Sequence, residues 1–500
     1  MYFVILIQFL SLLSLWPPAT FAAIVKRGAT CTVTPLSATP KPRRSIGTVH
    51  PAARDVDLDA TSPGSPEPVA PQWPAPGRYP RPAPSQGSHP PAERMAPPTE
   101  TPVDRADHDS DELVDHHTLW HREPAATIDD TPQILSAFKQ CGKDGTIIFA
   151  EGVFNIRQVM NTTDLSNCDI EIHGTFLWSA DNIASYWLRS TYSVTYAGRS
   201  TAWLFGGRNV SMRGFGRALF DGNGQAWIDQ NKGGSNQNGR PISLTVWRGT
   251  NIYIDGITWR QAQFWHTFIA HSQNVTMTNL DMNTTSHSQW SAVNTDGTDT
   301  WNSRDIVISN WTVTSGDDCI SVKGNSTNVH VSNIVCYESG GMCVGSMGSN
   351  AGQPDYVDNV VFENVTLYHS SNAAWIKTYP GQGHVRNVTF RNIRCNDVNQ
   401  PIYVMSCIYS GQNCDGSRLG ISDVRWENIT GTSRYNIAAG MHCSGQVPCT
   451  GFSFSGIDIK PKNGGTAKVM CSNIKNQASM GLKCDGACPG NWPQQLSGNR

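Results

Sequence analysis

Three phrases between Ser291 and Gly348 decide the fold: SAVNTDGTD (291–299), SGDDCISVKGN (315–325) and ESGGMCVGSMG (338–348). Asp296 precedes Asp318 by 22 residues, and Gly340 follows Asp318 by another 22. Between them lie DIVISNWTV (305–313) and NVHVSNIVC (328–336), whose apolar residues alternate with the period of a half-buried strand. One coil of a parallel β-helix takes a repeat of about this length, and fixed-period self-similarity marks such a solenoid. Stacked coils would set Asp296 and Asp318 on neighbouring rungs, about 4.8 Å apart. Asp317 stands beside them, so three carboxylates share one patch. Adjacent residues of a regular strand point to opposite faces, so Asp317 and Asp318 can both reach a cleft only if the chain bends at Gly316-Asp317. The triplet Gly-Asp-Asp alone reads first as a turn; its 22-residue register with Asn294-Thr295-Asp296-Gly297 shifts the reading to a site.

The phrase recurs along the chain, starting at 209, 251, 274, 305, 328, 359, 387 and 423 (for example NIYIDGITW and NVVFENVTL). From 251 onward the spacings are 23, 31, 23, 31, 28 and 36 residues. Asparagine or glycine falls at the middle of each phrase. Asparagine tolerates left-handed backbone, and its amide can ladder onto asparagine of the next coil. The variable excess length belongs in loops on one side, where solenoids carry binding sites. A propeller or sandwich would need turn signals every 8–12 residues or so, and these are lacking. The expected fold is all-β, a right-handed parallel β-helix over 126–500. Before it, DDTPQILSAFKQCG predicts a short capping helix with Thr131 as N-cap, Pro132 at the first helical position, Ile134, Leu135 and Phe138 on one face, and Gly142 as C-cap.

Residues 1–23 read as a secretory signal, an apolar run followed by Pro-Pro and small residues, too short and too interrupted for a membrane span. Residues 24–125 form a proline-rich segment, with nineteen of the thirty prolines between Pro35 and Pro124. Such a composition cannot bury enough apolar surface to order itself, so a linker or a misassigned coding stretch are the two readings. Fourteen cysteines, an even number, fit disulfides of an oxidising route, with Cys443 and Cys449 as one small-loop pair. Nine Asn-x-Ser/Thr sequons agree with secretion: Asn161, Asn209, Asn274, Asn283, Asn310, Asn325, Asn364, Asn387 and Asn428. Some of these read as turn asparagines as well. A formal charge of −2 gives no reason to expect nucleic acid. No metal-ligand cysteine pattern is present, no cofactor is implied, and the expected state is an extracellular monomer free of the membrane.

Clustered carboxylates suit glycosidic hydrolysis, because one must be protonated while another activates water, and like charges held together separate those roles. NTDG at 294–297, GDDC at 316–319 and the glycine-rich run after them resemble the polygalacturonase family, family 28 of the glycoside hydrolases. The resemblance runs from about Ala126 to near the C-terminus, and CTVTP (31–35) resembles that family's first strand. It implies a parallel β-helix and inverting hydrolysis of the pectin backbone without a cofactor. Asp317 resembles the general acid, Asp296 and Asp318 the water-activating pair, and Cys319–Cys336 a disulfide bracing the loop.

Two departures bear on the substrate. Gly340 stands where the family has histidine, and Trp375-Ile376-Lys377 replaces its Arg-Ile-Lys. A planar bidentate carboxylate partner is lost and a point charge kept, which points away from homogalacturonan endo-hydrolysis. Lys377 is the candidate partner for a substrate carboxylate. Trp375 is either a sugar-stacking face or a core residue, and Tyr409 either a substrate contact or a strand-edge aromatic. His266 and His271 are surface or loop histidines or substrate contacts, and Trp265 either lines the cleft or packs between coils. The leading expectation is an exo-acting galacturonan hydrolase or a rhamnogalacturonan hydrolase, exo- or endo-acting. A pectin lyase or an inactive carbohydrate-binding β-helix are the alternatives.

Overall fold

The computed structural model describes residues 28–36 and 128–489, apart from 236, 351 and 409–413. Its strands join in one continuous 25-stranded sheet, with parallel ladders except for the short pair Tyr192–Ser193 with Ser200–Thr201. The sheet coils as a right-handed parallel β-helix, as the repeat predicts. Each central coil contributes one short strand and one long strand bent in its middle. The short strands Thr298–Trp301, Ile320–Val322, Met342–Met347 and Asn372–Thr378 stack in register, with Thr298, Ile320, Met342 and Ala374 aligned. Inside, identical positions of successive long strands form apolar columns such as Val275, Ile306, Val329, Val360, Val388 and Val424, all buried. Each such side chain contributes about 1.5–3 kcal/mol by leaving water.

The bends are made by asparagine. Asn310, Asn333, Asn364, Asn392 and Asn428 all adopt left-handed backbone with φ between 53° and 59°. Each passes an Nδ2 hydrogen bond to the asparagine one coil earlier at 3.0–3.2 Å, from Asn310 onto Asn279 up to Asn428 onto Asn392. Six of the nine sequon asparagines (Asn209, Asn274, Asn310, Asn364, Asn387 and Asn428) donate their amides along such ladders, which by itself accounts for asparagine at those positions. Asn333→Ala should destabilise the fold by about 1–2 kcal/mol, the left-handed backbone cost, and Asn333→Gly should recover most of it. Urea unfolding of the pair checks this; equal losses would assign the cost to the amide ladder alone.

The capping helix spans Thr131–Cys141, with Pro132 in its first turn and Gly142 closing it through its N–H onto Phe138. Asp130, rather than Thr131, precedes the helix. The Thr131 hydroxyl is taken by the backbone N–H groups of Arg157 and Gln158, so it joins the helix to the next coil instead of capping. Asp130 accepts from the N–H groups of Leu36 and Asn155. The strand Thr30–Val33 pairs with Thr146–Phe149, and Cys31 is bridged to Cys141 of the helix. The range 24–125 expected outside the solenoid therefore contains its first strand, where CTVTP placed it. The signal peptide and residues 37–125 lie outside the described residues, as does Tyr409. Among the described residues no helix is long and apolar enough to cross a membrane.

Bridges Cys319–Cys336 and Cys443–Cys449 are present as expected, with Cys31–Cys141, Cys407–Cys414 and Cys471–Cys484. The even count does not mean complete pairing, because Cys168, Cys343, Cys395 and Cys488 are buried and take no part in these five bridges.

Candidate active site

The stacked short strands fix the acids. Asp296 lies two residues before Thr298 and Asp318 two before Ile320, and those two strand residues are register partners. The chain bends at Gly316-Asp317, as two adjacent acids facing one cleft require. Glycine is needed at 316, since a Cβ there would collide with the Ala292 carbonyl oxygen. The turn is held by the Thr295 hydroxyl, which donates to Ala292 O at 2.8 Å and accepts from the Gly316 N–H at 2.9 Å. Ser315 Oγ and the Gly340 N–H both donate to Asp317 O.

One carboxylate oxygen from each of Asp296, Asp317 and Asp318 comes within 4.8 Å of the others. Asp296 and Asp318 are buried, while Asp317 is partly exposed. Asn294 Nδ2 donates to Asp317 Oδ2 at 3.0 Å, and the Asp318 N–H to Asp317 Oδ1 at 2.8 Å. Burial, and then the Asp317, Asp299 and Asp318 charges, push the Asp296 pKa well above the usual carboxylate range. Burial and then Asp318 raise that of Asp317.

Lys377 does not stand free for a substrate. Its Nζ donates to Asp318 Oδ2 at 2.8 Å, both groups are buried, and it also sits 4.2 Å from the Trp375 ring centre. It keeps Asp318 company as a counter-ion. Trp375 is 6% exposed and stacks on Tyr403 with ring centres 5.7 Å apart, so it packs in a subsidiary core rather than offering a sugar face. Gly340 cannot carry a side chain here, because a Cβ would run into Oδ1 and Cα of Asp318. The glycine gives Asp318 the room that a larger residue would take.

His266 is fully buried, with Nδ1 2.9 Å from Asp296 O and Nε2 3.0 Å from Thr284 Oγ1, and burial pushes its pKa down to about 4. It is a neutral prop beneath Asp296 and touches no cleft surface. His271 instead lies between the Trp247 and Trp301 rings, at 4.8 and 4.7 Å. Trp265 is buried under the cleft, 5.2 Å from Lys323 Nζ.

Four functional groups were not singled out by sequence. Asp299 and Lys323 form a second buried pair at 3.5 Å beside the triad. Burial, opposed by Lys323, lifts Asp299 to about 7; burial works against the Lys323 charge, but Asp299 outweighs it and raises its pKa. Both residues sit in the quoted phrases, three after Asp296 and five after Asp318, on the same outward strand face. That parity was the available signal. Arg240 and Arg199 come from earlier coils and had no repeat to announce them.

A parallel solenoid with three acids gathered over one sheet defines a polysaccharide-processing β-helix, and comparison with known proteins is specific. The profile described as "Glycosyl hydrolases family 28" matches residues 160–480. The chain belongs to that family and is a glycoside hydrolase. It is 31% identical over 400 residues to "Alpha-L-rhamnosidase rgxB" of Aspergillus niger, covering 75% of this chain and 92% of the relative. It is 34% identical over 403 residues to "Putative galacturan 1,4-alpha-galacturonidase A" of Aspergillus niger, covering 71% and 90%. The solved endo-xylogalacturonan hydrolase of Aspergillus tubingensis is similar with a TM-score of 0.66 and 30% identity, covering 72% of this chain and 96% of that one.

Proposed function

We propose that this is a secreted, pectin-degrading hydrolase that removes sugars from chain ends with inversion at the anomeric carbon. The observation that carries the reading is the Asp296–Asp317–Asp318 cluster on two adjacent coils. Asp317, the partly exposed member, gives its proton to the glycosidic oxygen as the C1–O bond breaks. Asp296 and Asp318 take a proton from water as it attacks C1 from the opposite face. Lys377 pairs with Asp318 at 2.8 Å and holds it in position for that step.

The substrate is a galacturonan or rhamnogalacturonan end, a reading supported by relatives named galacturonidase, exopolygalacturonase and rhamnosidase. Exo action is supported by the same names; the excursion 182–199 lays Tyr196 against Trp265, Phe268 and Trp301. Secretion is supported by the apolar leader and five disulfides. The spacing of the acids favours one rival reading: carboxyl groups of inverting enzymes commonly stand about 6.5–9.5 Å apart, and retaining ones about 5–5.5 Å. Inversion is kept as the outcome that the family resemblance implies, and the anomer first released separates the two readings.

Proton NMR of the first minutes of hydrolysis of homogalacturonan and rhamnogalacturonan oligosaccharides tests this. The expected outcome is a monomeric product appearing first as the anomer opposite to the cleaved linkage. The same anomer as the linkage would refute inversion and make one aspartate a nucleophile, and internal fragments would refute exo action.

A further inference from the structure

We propose that Asn325 carries an N-linked glycan whose first sugar packs on the ring of Tyr356; this rests on the secretion reading above, the route that supplies the modification. Asn325-Ser326-Thr327 is one of nine sequons, and the structure separates it from the others. Linking a sugar takes one of the two N–H donors on Nδ2 and needs that nitrogen to point into solvent. In six sequons Nδ2 points along the solenoid, donating to an amide of the preceding coil. Asn161 leaves Nδ2 unused, but its Oδ1 is taken by its own Thr163 hydroxyl at 2.8 Å, and its partner on the next coil is the buried Leu204. Asn283 is half-buried.

Asn325 belongs to no ladder. It stands exposed at the turn between the short strand Ile320–Val322 and the long strand Ser326–Tyr337, with left-handed backbone at φ 58°. Its Oδ1 accepts from the Tyr356 N–H at 3.3 Å, and no group among the described residues takes its Nδ2. With the oxygen held by the neighbouring coil, the nitrogen of the same amide is left to solvent.

Tyr356 supplies the seat. Ser326 and Val357 are register partners, so the residues before them meet side by side, and the Asn325 N–H donates to Tyr356 O at 2.6 Å. Tyr356 is 43% exposed, the only tyrosine so open among the described residues. His384, its partner one coil on, covers part of the ring with centres 4.9 Å apart. Asn325 lies one coil back, so the uncovered side of the ring looks toward it. A pyranose offers a face of C–H bonds to such a ring, and covering the ring removes apolar area from water. The modification makes one bond and breaks one. Nδ2 bonds C1 of an oligosaccharide carried on a polyprenyl diphosphate, the C1–O bond to that carrier breaks, the diphosphate leaves, and Nδ2 gives up a proton.

The full chain, exported from a yeast host under its own leader, tests this. Peptide N-glycosidase in heavy-oxygen water turns each glycan-bearing asparagine into a labelled aspartate, which peptide mass spectrometry locates. Asn325 should be labelled in most molecules; Thr327→Val should leave it bare, and Thr327→Ser should keep it labelled. Thr327→Val should also lower Tm by about 1–3 °C, the loss of one sugar–ring contact, and should cause no such loss in a Tyr356→Ala background. Exported chain with Asn325 bare overturns the proposal and leaves secretion standing. Equal Tm losses in the two backgrounds overturn the seat on Tyr356. A chain kept inside the cell with every sequon bare sinks the secretion reading and this site with it.

Discussion

Asp317→Asn should lower kcat by about 10²–10⁴-fold, the range that a positioned general acid contributes, with the fold intact by circular dichroism. The substitution is isosteric, and its single carboxamide oxygen can accept from Asn294 or from the Asp318 N–H but not from both, so one hydrogen bond is lost together with the transferable proton. KM should move little, because the proton acts only as the bond breaks. The pH profile adds a signature. Burial and Asp318 raise the Asp317 pKa, so the group stays protonated to a higher pH than an ordinary aspartate. The wild-type rate should therefore persist above pH 4 or so and fall as pH rises through the shifted value. That alkaline limb should vanish from the residual activity of the variant. Unchanged turnover by Asp317→Asn would instead fit a binding protein with an idle cluster.

Lys377→Met should be the most damaging single change to stability. Lys377 and Asp318 are both buried and their charges meet at 2.8 Å. Removing one partner strands the other charge in the interior, a loss of about 3–5 kcal/mol. Asp318 would escape part of that cost by taking up a proton, which removes it from the base pair, so activity should fall as well. The double variant Lys377→Met/Asp318→Asn should regain much of the stability and none of the activity. Urea unfolding of the four proteins gives the coupling energy of the pair. A coupling near zero would mean that water or other groups already compensate Asp318.

The triad was readable because one coil of solenoid and one interval of sequence are the same thing: 22 residues carry the chain once around, so Asp296, Asp318 and Gly340 had to stack. The asparagine phrases were readable for the same reason, since left-handed backbone at each bend restricts the residue that can stand there. What the neighbours of the acids do was not readable. Whether Lys377 reaches a substrate or Asp318 depends on a few ångströms across two rungs, and the structure gives it to Asp318. Trp375 packs onto Tyr403 for similar reasons. Arg199 and Arg240 arrive from an excursion and a coil of irregular length, and contacts of that kind leave no period behind. The cysteine count misled in part because a solenoid core accepts a lone thiol as it would any small apolar side chain.

The Cys31–Cys141 bridge spans 110 positions and pins the first strand onto the helix that closes the barrel-like stack. A protease cutting anywhere from 37 to 127 would therefore yield two polypeptides that still travel as one molecule. The opening rung would keep its edge covered after such trimming, and only a reductant would let the short N-terminal piece leave.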